Sequence, residues 1–200
     1  MNNRDLVFHG LAIKRHSPPE VVAEHIGLPA ETVSRVLEEA VESGRAVNAR
    51  QAYTLTPLAK LAIEANYSKY FLDLRGDQGF VQPYEQFELI NKTLKQVITD
   101  WQTIDVGGSR VPNEHTDTEY DAEIIDRLGA IHEQVEPVLR RLAAKIPRLA
   151  IYEKKLLSAL EAAEDGDIEW VSDIRRESYH TVWFDLHEDL LRIMGRQREE

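Results

Sequence analysis

Prolines and glycines divide the first third of this chain into short segments with defined ends. Ser17-Pro18-Pro19-Glu20 has the form of a capping box with proline at the first helical position, which predicts a helix start at residue 18. Gly27-Leu28-Pro29 separates this helix from the next one, which Gly44 is predicted to end. Thr56-Pro57 predicts a further helix start. These closely spaced boundaries restrict the region to a small, mainly helical module.

The residues between these boundaries indicate which elements form. Apolar residues recur at helical spacing in residues 5–15 and again from Pro29 to Ser43. Residues 45–56 carry β-type residues on both sides of a polar Arg50-Gln51 tip, which predicts a hairpin. The predicted order for a first domain, residues 1–66, is therefore helix, helix, helix, hairpin and helix.

This order, with the runs VVAEHIGLPAETVSRVLEEAVESGRAV and AYTLTPLAK, resembles the winged helix-turn-helix domain of bacterial MarR-like regulators. The resemblance covers residues 5 to about 66, and Ala59 stands where the family motif has glycine. It implies that the protein is a DNA-binding transcriptional regulator whose third helix enters the major groove.

The resemblance also implies which residues contact DNA. Thr32, Ser34 and Arg35 on the third helix would meet bases, and Arg45 and Arg50 would meet phosphates. Gln51 would approach the backbone or minor groove together with Arg50. A homodimer, the expected oligomer, would double this basic footprint.

Charge argues in part against DNA as the partner. The formal net charge is −11, but residues 1–66 carry only −1 of it and residues 67–200 carry −10. Affinity for nucleic acid depends on neutralising phosphates with Lys and Arg, yet four glutamates accompany Arg35 on the third helix. The alternative is a non-catalytic winged-helix adaptor that binds an enzyme partner.

The second predicted domain, residues 67–200, is expected to be an all-α helical bundle. Apolar residues repeat at three and four from Pro83 to Ile104, and a long helix is predicted from Thr118 to Lys145 with Pro137 inside it. Further helices are predicted after Pro147 and from about Ile168 to Gly195. Residues 76–83 and 105–117 are predicted loops, and no two-residue period is seen beyond residue 60.

Aromatic and histidine side chains in this domain suggest a pocket for a small-molecule effector. This candidate pocket consists of Tyr84, Phe87, Trp101, His132, Tyr179, His180, Trp183 and His187. The same aromatic spacing is more typical of a hydrophobic core, and it also suits a dimer interface.

Three of these residues, His132, His180 and His187, raise the alternative of a metal site. With Asp185 or Glu188 they resemble the helical ligand-binding domain of FadR-type regulators. A spacing of seven residues is long for two ligands of one ion, so we expect no metal and histidines packed beside aromatics.

A second resemblance concerns the C-terminal segments IHEQVEPVLRRLAAKIPRL and SYHTVWFDLHEDLL, which are similar to actinobacterial companions of PEP-utilising phosphotransfer enzymes. It implies an accessory role beside such an enzyme. No glycine-rich phosphate loop or other catalytic motif is present, so the chain is not expected to be an enzyme.

The expected compartment is the cytoplasm. The chain has no cysteine, no apolar run long enough to span a membrane and no signal-peptide pattern at its start. The leading hypothesis is a cytoplasmic regulator with an N-terminal winged helix, a C-terminal domain for dimerisation or effector sensing, no resident cofactor and no membrane contact.

Overall fold

The structure is a computed structural model that describes residues 1–198, and it is mainly helical with two small antiparallel sheets. The chain divides into two compact units. The first consists of Met1–Asp77 together with the C-terminal segment that begins at His187, and the second of Gln78–Leu186. The domain boundary predicted after residue 66 falls inside the helix Pro57–Tyr70. The two compact units therefore have different bounds from the predicted domains.

The first unit begins with the predicted order of helix, helix, helix, hairpin and helix, but the last predicted helix is divided into two at Phe71. The elements are α1 (Asn3–Lys14), α2 (Pro19–Ile26), α3 (Ala30–Glu42), β1 (Ala46–Ala49), β2 (Ala52–Leu55), α4 (Pro57–Tyr70) and α5 (Leu72–Gly76). Gly10 lies where α1 meets α2, and a Cβ on it would come within 2.5 Å of Ile26 Cγ2. The two helices therefore approach too closely for a side chain at this position.

The predicted capping box at Ser17 is wrong. Helix α2 starts at Pro19, and its N-cap, Pro18, has no side chain that can accept a hydrogen bond. Ser17 instead pairs with Tyr53 of β2 through both backbone groups, at 3.2 and 2.9 Å, while its hydroxyl donates to Lys14 O. Because Ser17 is extended and paired with a strand, it joins the first hairpin to the segment between α1 and α2.

The second unit is built around long helices. Its elements are α6 (Gln78–Gln102), β3 (Thr103–Val106), β4 (Ser109–Pro112), α7 (Thr118–Lys145), a 3-10 turn (Pro147–Leu149), α8 (Ala150–Glu164), α9 (Glu169–Ser172) and the first half of α10 (Tyr179–Met194). Helix α7 packs against both α6 and α8. It has the predicted bounds and stays continuous through Pro137.

The prediction that this domain is all-α is wrong, because a second hairpin occupies part of the predicted loop 105–117. Strands β3 and β4 pair from Thr103↔Pro112 to Val106↔Ser109. Its two-residue tip is Gly107-Gly108, with φ of 64° and 84°. Glycine adopts this left-handed conformation without a steric penalty, and a Gly-Gly pair between short β-type segments is a hairpin signal.

Two other predicted boundaries in this region are also wrong. Most of the predicted loop 76–83 lies within α6. This helix buries Phe80, Tyr84 and Phe87 at successive turns, and the packing of these side chains outweighs the unfavourable effect of Pro83 on the helix. The last predicted helix is interrupted between α9 and α10, where the Ser178 hydroxyl accepts a hydrogen bond from Thr181 N and caps the new helix.

Helix α10 contributes residues to both units. Its residues up to Leu186 belong to the second unit, and those from His187 onward belong to the first. Across residues 1–198, no helix is long and apolar enough to cross a membrane.

Candidate nucleic-acid interface

Helices α2 and α3 are joined by the short turn that a helix-turn-helix needs. Gly27 ends α2 in a left-handed conformation, with φ of 71°, and its N–H donates to Ala23 O at 2.9 Å. Pro29 is extended and is followed immediately by α3. Because the turn is only three residues long, the two helices pack directly on each other.

Helix α3 has two contrasting faces. Its inner face buries Val33, Val36, Leu37 and Ala40. Its outer face is exposed and, at helical spacing, carries Glu31, Arg35, Glu38 and Glu42. We call this outer surface the acidic face, since three of its four charged side chains are carboxylates.

The predicted reading residues lie around this surface with unequal exposure. Thr32 and Ser34 are half-buried, whereas the Arg35 side chain is 66% exposed. Arg35 Nη1 donates to Glu39 Oε1, one turn further along α3, at 3.1 Å. A pair this exposed contributes little, so a phosphate or base could replace Glu39 as the partner at small cost.

The first hairpin lies beside α3 and α1, and its tip carries two of the predicted DNA contacts. Strands β1 and β2 pair from Ala46↔Leu55 to Ala49↔Ala52, which leaves Arg50 and Gln51 as a two-residue tip. Both have positive φ, 54° and 66°, although neither is glycine. The strain of such a conformation often marks functional positions, and here it displays one cationic and one amide side chain.

A third strained residue, Arg15, lies where α1 ends. Its φ and ψ are 65° and −66°, and His16 N donates to Lys14 O at 2.8 Å across it, which forms a tight γ-turn. The His16 ring is hydrogen-bonded to the Thr54 hydroxyl of β2 at 3.0 Å. From sequence, Arg15 is a candidate member of a basic rim around α3 together with Lys14, Arg45 and Arg50.

Arg45 lies at the other end of the first hairpin from Arg50. It is exposed between α3 and β1, and its carbonyl accepts hydrogen bonds from the backbone N–H and the hydroxyl of Thr56. Five residues along an extended strand span about 16 Å, so Arg45 and Arg50 can only reach different phosphates.

The aromatic members of the predicted effector pocket are buried and pack into a core. Tyr84, Phe87, Trp101, Tyr179 and Trp183 are at most 3% exposed. The Trp183 ring stacks on Phe87 and Tyr179, with centroids 4.9 and 6.0 Å apart, and its indole N–H donates to Asn91 Oδ1 at 2.9 Å. Three cavities within the described residues are each lined by other side chains.

The histidines of that pocket lie in different surroundings. His132 is buried and contacts the Tyr179 hydroxyl at 3.3 Å, and burial lowers its pKa below the usual 6.5. His180 is half-exposed on α10, and His187 is buried on the half of α10 that belongs to the first unit. Within residues 1–198, no group of three or more His, Asp or Glu side chains is arranged to hold a metal ion.

Comparisons with known proteins return no relative for this chain. It matches no protein-family model, no curated protein and no solved structure.

Proposed function

We propose that this protein is a DNA-binding transcriptional regulator whose first unit is a winged helix-turn-helix. In this proposal α2 and α3 are the helix-turn-helix, the first hairpin is the wing, and the second unit serves dimerisation or effector sensing. The observation that carries the proposal is the hairpin tip, where Arg50 and Gln51 hold a left-handed backbone beside α3.

The tip supports DNA binding because its conformation is costly for the residues that occupy it. A left-handed backbone costs a non-glycine residue about 1–2 kcal/mol, and glycine would remove that cost. Arginine and glutamine at these positions place a cation and an amide at an exposed hairpin tip. Both groups suit contacts with phosphates and with the edges of bases in the minor groove.

The acidic face is compatible with this role if α3 enters the groove by its first turns. Recognition helices contact bases mainly through their N-terminal residues. Thr32, Ser34 and Arg35 occupy that half of α3, whereas Glu38, Glu39 and Glu42 follow in the other half. Glu31 is the one carboxylate in the reading half, and a glutamate can accept a hydrogen bond from cytosine.

The test is binding of the full chain to the DNA upstream of its own gene, measured by fluorescence anisotropy over a series of salt concentrations. We expect the double variant Arg50→Ala, Gln51→Ala to bind at least about tenfold more weakly, because it loses one phosphate contact and one polar contact. Its plot of log affinity against log salt is expected to flatten by about one.

The matched control is Arg110→Ala, which removes an exposed arginine from the second hairpin. This variant is expected to bind DNA like the parent. Equal affinity of the parent and the double variant for specific DNA would contradict the wing assignment, and so would equal losses in the double variant and the control.

A second candidate function, an adaptor that binds an enzyme partner, is favoured by the acidic face itself. Glu31, Glu38 and Glu42 form an exposed anionic surface that suits a cationic protein patch better than a phosphate backbone. The test is purification from the native cell. Recovered DNA supports the regulator, whereas a stoichiometric enzyme that is lost on Glu38→Lys, Glu42→Lys substitution supports the adaptor.

A further inference from the structure

A groove of about 480 Å³ lies between α6 and α7 on the surface of the second unit. Its apolar lining consists of Leu89 and Ile90 from α6 and of Pro137 and Val138 from α7. We call it the α6–α7 groove. Leu89 is 65% exposed although it is a large apolar side chain, and Pro137 is exposed as well. Covering these side chains would remove apolar surface from water, which favours an occupant with an apolar surface of its own.

The exposed faces of the two helices extend the groove in both directions with few charges. On α6, the exposed residues at alternating spacings of four and three are Gln82, Gln86, Leu89, Thr93 and Gln96. On α7, the exposed residues at the same spacings are Ala130, Gln134, Pro137, Arg141 and Ala144. In these two rows only Arg141 is charged, although 30% of the chain consists of charged residues. This spacing is that of a seam along which helices pack, and depletion of charge is typical of the centre of a protein interface.

Helix α6 carries an acid and a base on opposite sides of Leu89. Glu85 lies about one helical turn before Leu89, and Lys92 lies about one turn after it. Both side chains are exposed, and neither forms an ion pair within residues 1–198. Each of these two charges is therefore available to a partner.

Helix α7 repeats this pattern around Pro137. Glu133 lies about one turn before Pro137, and Arg141 lies about one turn after it. Both are exposed, and in the part of the chain that the structure describes neither is ion-paired. Arg141 Nη1 donates to Gln86 Oε1 at 2.8 Å, but this amide is neutral and leaves the guanidinium charge uncompensated. Both helices therefore run from an acid, through the apolar centre, to a base.

We propose that the α6–α7 groove is the surface through which two copies of this chain form a homodimer. A two-fold interface uses the same patch on both copies, and an axis that crosses the helices at the groove centre lays each helix antiparallel on its counterpart. Glu85 then faces the partner's Lys92, and Glu133 faces the partner's Arg141. At the centre, Leu89 of each copy enters the apolar groove of the other.

The charge pattern selects a second copy of this chain as the occupant. Two-fold symmetry gives each acid and each base a partner of opposite sign, and no group outside the chain is needed. Such pairs at the rim fix the register, while the apolar centre provides most of the affinity. The inference specifies the dimerisation role that the proposed function gives to the second unit, and it rests on that part of the proposed function.

The test is sedimentation velocity of the full chain, without DNA, over a series of protein concentrations. The parent is expected to be a dimer with a Kd of about 10 µM or tighter. A parent that stays monomeric would overturn the proposal, because a groove that binds a different protein or a small molecule does not make the chain self-associate. Binding to DNA is measured separately by anisotropy, so a failure of the dimer is distinguishable from a failure of DNA binding.

Leu89→Glu is expected to weaken dimerisation by about tenfold or more, because it places an unpaired carboxylate at the centre of the interface. The matched control is Leu157→Glu, which replaces a leucine of α8 that is 41% exposed and does not line the groove. This control should keep the Kd of the parent, and circular dichroism verifies that each variant is folded. Equal Kd values for the parent and Leu89→Glu would mean that the dimer forms through another surface and would overturn the proposal.

Charge reversal tests the position of the axis. Lys92→Glu should weaken the dimer by about threefold or more, because the new carboxylate faces the partner's Glu85. Adding Glu85→Lys to this variant restores opposite signs across the axis and the net charge of the parent, so the double variant should recover the parent's Kd. A double variant that dimerises no better than Lys92→Glu would overturn this arrangement of the two copies.

Discussion

Each unit contains a buried histidine that contacts a buried tyrosine, yet the two histidines differ in their second partner. In the first unit His9 Nδ1 lies 3.0 Å from the Tyr67 hydroxyl, and its Nε2 lies 3.0 Å from Asp189 Oδ1. In the second unit His132 Nδ1 lies 3.3 Å from the Tyr179 hydroxyl, but its Nε2 is buried with no partner within the described chain.

The difference shows how the two cores accommodate a polar ring. Asp189 is fully buried, so it supplies a carboxylate that can compensate a proton on His9. Within residues 1–198 no carboxylate is hydrogen-bonded to His132, whose ring lies edge-on against the Tyr179 ring with centroids 5.9 Å apart. The first unit is therefore sensitive to loss of a charge partner, and the second is sensitive to the addition of a proton.

Removing the Asp189 carboxylate is expected to have the largest effect on stability. Asp189→Asn should lower the free energy of unfolding of the first unit by about 3 kcal/mol, because it breaks a buried pair and leaves His9 mismatched. Hydrogen exchange of α1 amides measures the first unit. Tryptophan fluorescence measures the second, because Trp101, Trp170 and Trp183 all lie there.

The matched substitution Asp126→Asn replaces an exposed carboxylate on α7 and should change neither signal. Unchanged exchange of α1 amides in Asp189→Asn would contradict the importance of the buried acid.

A substitution in the aromatic core of the second unit should cause the next largest loss of stability. Trp183→Phe removes the indole N–H that donates to the buried Asn91 and leaves a gap beside Phe87. We expect a loss of about 2 kcal/mol, measured by urea unfolding with circular dichroism. Trp170→Phe removes a similar bond, to Asp167, at the surface and should cost far less. Equal costs for the two would show that burial is not the cause.

Because His132 lacks the carboxylate partner that His9 has, we expect the stability of the second unit to depend on pH. Burial lowers the pKa of His132 below 6.5 in the folded state, although Glu136 and Glu153 act to raise it. As pH falls through 6.5 the unfolded chain therefore takes up a proton that the folded chain does not, and stability falls. The slope for one proton is at most about 1.4 kcal/mol per pH unit.

Urea midpoints between about pH 5 and 8, followed by tryptophan fluorescence, measure this dependence. The variant His132→Gln should have a flatter profile than the parent. Identical profiles would mean that His132 does not titrate differently in the folded and unfolded states.

Substitutions at the tips of the two hairpins should have the smallest effect on stability. Gln51→Gly relieves a left-handed glutamine and should stabilise the first hairpin by about 0.5 kcal/mol, since the freer unfolded chain offsets part of the gain. The reverse change, Gly108→Gln, should destabilise the second hairpin by about 1 kcal/mol. Hydrogen exchange of the strand amides measures both, and changes of the same sign would contradict the strain assigned to Gln51.

The elements of the first unit were predictable because local residues set their ends. Gly27, Gly44 and Pro57 act within one turn of the backbone, so their effects can be inferred without knowledge of the fold. Ser17 was not predictable in this way, because its partner is Tyr53, and the pairing depends on tertiary structure. The second hairpin was missed because each strand has only four residues, too few for alternation to be seen, although Gly107-Gly108 was a usable signal.

The candidate sites were predictable only in part. Sequence placed Arg50 and Gln51 at a hairpin tip, but their left-handed backbone is a property of the folded turn. The hydrogen bond from Arg75 to the carbonyl of Arg192 could not be inferred, because the two residues are 117 positions apart in the sequence.

The path of α10 has a consequence for the order in which the protein folds during synthesis. Asp189 is translated 180 residues after His9. The first unit therefore cannot complete its core until residue 189 has been made, and until then the His9 ring lacks its carboxylate partner.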